Sequence, residues 1–109
     1  MSISYRNMQA FLCVAESATF AEAAEKLFVT QPALSSSIKK MEEQLGGQLF
    51  SRTTRRVQLT PEGETFLPHA RRLLHDWDDA VEGVQNLFAM AQGRLAVAAM
   101  PSFAESKLP

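Results

Sequence analysis

The sequence predicts a mainly α-helical fold of three short helices, a two-stranded β-ribbon and one long helix. Three observations carry that expectation. Residues 18–45 read as two amphipathic helices joined by a tight turn. Residues 48–60 drop the helical period for two short apolar runs around an arginine-rich loop. From Leu67 to Ala91 apolar residues then recur at strict 3–4 spacing. Together with a first helix ahead of the pair, these elements compose a winged helix–turn–helix followed by a long helix suited to dimerisation.

Residues 4–17 form the first expected helix, with Ser4 as N-cap and Met8, Phe11, Leu12 and Ala15 as its apolar stripe. The second starts at Thr19, whose hydroxyl and the Glu22 carboxylate make a capping box, and carries Phe20, Ala23, Ala24 and Leu27 at i, i+3, i+4, i+7. Phe28-Val29 breaks the pattern. Thr30 restarts it as an N-cap, Pro32 sits in the first turn where its missing N–H costs nothing, and Gly46-Gly47 closes the helix. Leu34, Ile38, Met41 and Leu45 are its inner face.

The opposite face of this third helix points to a partner. At about 100° per residue, Pro32, Ser36, Lys39, Lys40 and Glu43 face outward, with Ala33 and Ser35 at the flanks. Small and hydroxylic residues come first and cations later. A helix entering a DNA major groove needs low bulk and hydrogen-bonding groups at its N-terminal end and cations where phosphates pass. An ordinary solvated face has the same periodicity, so spacing alone leaves both readings open.

Gln48–Arg52 and Val57–Thr60 are the expected strands, leaning on the helices through Leu49, Phe50, Val57 or Leu59, because a two-stranded ribbon is marginal alone. Arg52, Arg55 and Arg56 gather near its tip, where arginine can hold phosphate or enter a narrow minor groove. The net charge of −1 argues at first against nucleic acid, but its distribution reverses that. Residues 31–60 hold five Lys/Arg against two Asp/Glu, whereas residues 61–109 hold four against seven.

Thr60-Pro61-Glu62 opens the long helix with a cap, a proline at the first position and an acid in the first turn. Leu67, Ala70, Leu74, Trp77, Val81, Val84, Phe88 and Ala91 form its seam, and Phe66, Leu73, Ala80 and Leu87 widen it. One side is expected to meet a second copy, with Trp77 as the central anchor, and the other the three-helix core. Pro68 falls on an outward position and is expected to kink the early turns. Arg94–Met100 reads as a strand apolar on both faces, of the kind found inside a parallel sheet, so the chain is expected to be the front part of a longer protein.

Other chemistry is thin. His75 and Asp79, with His69 and Asp76 nearby, are too few to complete a metal sphere, and Cys13 reads as a small buried or half-buried hydrophobe, not a nucleophile. No phosphate loop or nucleophile–base set is present, so neither an enzyme nor a cofactor is expected. No signal peptide or spanning apolar run occurs, and with one cysteine the expected compartment is the cytoplasm. A helical protein–protein dimerisation module without specific DNA readout is the alternative.

The pattern AA-x-x-L, TQPALS, I, E, LG-x-x-LF-x-R and LT-x-x-G, spread over residues 23–63, resembles the N-terminal part of LysR-type transcriptional regulators, and the likeness runs over about residues 4–92. It implies a winged helix–turn–helix at 1–60, a linker helix at 61–92 that pairs antiparallel in a homodimer, and the start of an effector-binding domain at 93–109. It further implies double-stranded DNA as partner, tetramers at full length, and a small-molecule effector bound by the missing domain. Thr30, Gln31, Pro32, Ala33 and Ser35 match the front of the family's recognition helix, and Arg52 and Arg55 its wing contacts. Ser36 falls where many members carry arginine, and Ser37 where glutamine or alanine is common, a departure that removes a long donor from the groove. Ser102 falls at the border of the family's effector cleft.

Overall fold

The computed structural model describes residues 2–52 and 55–93. Four helices follow in order: α1 (Tyr5–Ala15), α2 (Phe20–Leu27), α3 (Gln31–Leu45) and α4 (Pro61–Ala91). Each of the first three begins at a hydroxyl cap. Ser4 accepts from the Asn7 backbone N–H while the Asn7 side chain takes the Ser4 N–H, a reciprocal capping box. Thr19 accepts from Glu22 N–H at 3.1 Å and Thr30 from Ala33 N–H at 3.2 Å. The Glu22 carboxylate reaches back one residue further than expected, taking the N–H of Ala18 instead of Thr19.

The core is set by these amphipathic faces. Phe11 and Val14 of α1, Ala23 of α2 and Leu34, Ile38 and Met41 of α3 are buried with Leu49 and Phe50. The α1 stripe is rotated from the expected one: Ala10, Phe11 and Val14 lie innermost, with Met8 and Ala15 at the margin. Phe11 sits between Phe50 and Phe66 with ring centroids 5.3 and 5.1 Å away, and Phe20 meets Phe50 edge-on at 5.7 Å. Tilted rings at these distances gain attraction beyond their buried area.

The ribbon is shorter than the two strands expected. Among the described residues it pairs as one antiparallel bridge, Phe50 with Leu59, beside Ser51 N–H to Gln58 O at 2.8 Å and Thr60 N–H to Leu49 O at 3.0 Å. Leu49 N–H, which faces Thr60 across the ribbon, goes to the Glu42 carboxylate instead. Phe50 N–H also points to Glu42, and Val57 N–H donates to Ala18 O at 2.8 Å; both face away from the partner strand and tie the ribbon to the helices.

The chain divides into two compact units inside α4, one up to Leu74 and one from His75 onward. The first unit therefore includes the early turns of α4 and does not stop at residue 60. Ala70 is fully buried in the core, Leu67 packs against it, and Leu74 is 6% exposed. Of the residues expected in the seam, Ala70 and Leu74 are thus buried within their own chain and Leu67 is partly buried against its core. In the second unit Trp77, Val81, Val84 and Phe88 are 57%, 39%, 50% and 66% exposed.

Candidate nucleic-acid interface

The α3 helix divides its residues cleanly. Leu34, Ile38 and Met41 anchor it in the core, and Gln31, Pro32, Ala33, Ser35, Ser36, Lys39 and Lys40 are all exposed, as is the cap residue Thr30. Thr30 holds one of the first-turn N–H groups, and Pro32 lacks one, so two of the orphan positions at the helix start need no bulky side chain. Ser37 is different from its neighbours. Its hydroxyl accepts from Asn7 Nδ2 at 2.9 Å, tying α3 to α1, so it takes no part in the outward face.

The turn from α2 to α3 is tight because Phe28 adopts a left-handed conformation, φ 57° and ψ 43°. The residue is 94% exposed. The helix end is thus closed by a residue that pays a steric penalty where glycine would not. At the far end of α3, Gly46 caps at φ 92°, and the N–H groups of Gly46 and Gly47 both donate to Glu42 O.

The three wing arginines separate. Arg55 and Arg56 are exposed beside the tip. Arg52 pairs with the carboxylate of Glu42 and stacks its guanidinium 5.7 Å from the Phe20 ring centroid. Glu42 is only 6% exposed. Sequence reasoning passed over it. The available signal was an acid four residues after Ile38, on the apolar side of α3, with an arginine ten positions later. Thr53 and Thr54 of the expected loop, and Ser102, lie outside the described residues.

His75 Nε2 and Asp79 form an i, i+4 pair at 3.3 Å. Among the described residues no group of three His, Cys, Asp or Glu could hold a metal ion, and no helix is long and apolar enough to cross a membrane.

Three packed helices, the third showing a small, polar and cationic face and followed by a basic ribbon, define the winged helix–turn–helix class. A family model for bacterial regulatory helix-turn-helix proteins, lysR family, matches residues 5–64, and the chain belongs to that family. It is 45% identical over 96 residues to the HTH-type transcriptional regulator YbhD of Escherichia coli, covering 88% of this chain and 30% of that protein. To an HTH-type regulator from the ibpB-leuC intergenic region of Azotobacter vinelandii it is 40% identical over 103 residues, 94% of this chain and 72% of the relative. Among solved structures, the BenM DNA-binding domain in complex with catB site 1 DNA superposes with a TM-score of 0.76 at 38% identity, covering 79% of this chain and 97% of that one. The chain thus spans under a third of the E. coli relative and almost all of the isolated BenM domain. The family consists of regulators, not enzymes.

Proposed function

We propose that the chain is the DNA-binding and dimerisation part of a LysR-type transcriptional regulator acting in the cytoplasm. The observation that carries this reading is the exposed face of α3, Gln31 to Lys40, held by a buried apolar face and followed in the chain by the exposed Arg55 and Arg56. In a homodimer paired through the exposed residues of α4, two α3 helices would enter successive major grooves of a near-palindromic operator, with the wings over the flanking minor grooves. Gln31, Ser35 and Ser36 would meet base edges, Lys39 and Lys40 phosphates, and Arg55 and Arg56 the minor groove and its backbone. Residues 61–92 serve as linker helix, and residues 93–109 begin an effector-binding domain in which Ser102 contacts the small molecule. That domain would assemble dimers into tetramers and regulate by altering their spacing. The likeness to a BenM domain solved on DNA supports the interface.

The test is binding of the purified protein to a randomised duplex pool at two salt concentrations, followed by sequencing of the bound fraction. An enriched inverted repeat is expected. Absence of binding at low salt would overturn the reading in favour of a protein–protein module.

A further inference from the structure

Glu42 gathers more polar partners than any surface role requires. Its Oε2 accepts from Leu49 N–H at 2.7 Å and from Phe50 N–H at 3.3 Å, its other carboxylate oxygen accepts from Arg52, and its backbone carbonyl takes Gly46 and Gly47 N–H. One residue of α3 thereby closes the end of its own helix and receives the ribbon that follows. A buried carboxylate is tolerated only when its lone pairs are filled, and here they are filled by the two backbone groups and the guanidinium that open the wing. Lys39, one turn earlier on α3, lies on the outward face. The ribbon's second strand is joined to the first through Phe50–Leu59 and Ser51–Gln58. Any shift of Glu42 therefore moves the base of the wing against the groove-facing side of α3.

We infer that Glu42 is a positioning residue for DNA binding: it sets the wing arginines Arg55 and Arg56 relative to α3, and it holds Arg52 as a structural partner instead of a phosphate contact. The inference rests on the DNA-binding reading above for its consequence, but its geometric half stands without DNA. The charge logic makes it distinctive. Removing a negative charge beside a polyanion strengthens binding if electrostatics alone operate. Removing this one weakens binding, because the wing loses its register.

The experiment compares Glu42→Gln, Arg52→Met and Arg52→Lys with the unaltered protein, each checked for native helix content. Salt-dependent affinity for a randomised duplex pool is read alongside the distance distribution between spin labels at Ser36→Cys and Gln58→Cys in a Cys13→Ala background. Glu42→Gln is expected to bind about ten-fold more weakly despite its lost negative charge, with a broadened label distance. Arg52→Met, which keeps an apolar contact with Phe20, weakens binding in the same direction without lowering the salt slope, and Arg52→Lys restores most of it. Equal or tighter binding by Glu42→Gln with an unchanged label distance overturns the inference. So does a salt slope lowered by about one unit in Arg52→Met, which would make Arg52 a phosphate contact. If Glu42→Gln does not fold, the Arg52 pair decides by the same two readouts. If the unaltered protein binds no DNA, the DNA reading fails, while the label distances still test the positioning.

Discussion

A Cβ placed on Gly63 would stand 2.2 Å from the carbonyl oxygen of Leu49, far inside contact distance. Gly63 is the third residue of α4, and that same Leu49 oxygen accepts from Thr60 N–H at 3.0 Å. Thr60 completes the joint by donating its hydroxyl to Gln48 O and accepting from Gly63 N–H. The helix therefore starts with its backbone pressed on the ribbon, and only glycine permits the approach. Gly63→Ala should lower unfolding stability by about 1–3 kcal/mol, read by urea denaturation. An unchanged midpoint would mean that the ribbon and α4 separate readily.

That joint also shows what was legible beforehand. The Thr60-Pro61-Glu62 run announced a helix start, and the hydroxyl caps at Ser4, Thr19 and Thr30 lie where their residue types placed them, because capping is local chemistry. The core faces of α2 and α3 followed from period as far as Met41, whereas Leu45, expected on the inner face of α3, is 38% exposed. What escaped were long-range pairings: Glu42 with Arg52, Asn7 with Ser37, Gly63 against Leu49. Each joins residues ten or more apart through geometry that no spacing rule encodes. The division along the α4 stripe was hidden for a related reason. Its apolar stripe is continuous, yet Ala70 and Leu67 are used within the chain and Trp77 to Phe88 are exposed, a division that periodicity does not mark.

Phe28 invites a change of opposite sign. It holds a left-handed conformation and is 94% exposed. Phe28→Gly should raise stability by roughly 1 kcal/mol, since the left-handed penalty exceeds glycine's extra chain entropy. Thermal unfolding reads it directly. A loss of stability would show that the ring shields the turn in a way its exposure conceals.

The outward residues of α3 and the wing should separate by kind of contact. Arg55→Ala is expected to weaken binding to all sequences and to lower the salt slope by roughly one unit. Gln31→Ala should relax sequence preference more than it reduces affinity for random DNA, with a loss of discrimination of about 1–3 kcal/mol at one base position. Uniform losses on every sequence would remove Gln31 from base readout. An unaltered salt slope in Arg55→Ala would remove the wing from the phosphates.

The division of α4 predicts two different failures from two similar truncations. Leu67 packs on the core of its own chain, so Leu67→Ala should cost about 2 kcal/mol of folding stability or more and leave subunit affinity alone. Trp77 is exposed midway along the helix, where a second copy would bury it. Trp77→Ala should raise the dimer dissociation constant about 30-fold, the equivalent of about 2 kcal/mol at an interface anchor. Sedimentation equilibrium and denaturation on the same samples distinguish them. Weakened self-association in Leu67→Ala with none in Trp77→Ala would place the dimer contact on the early turns of α4 and reverse the assignment.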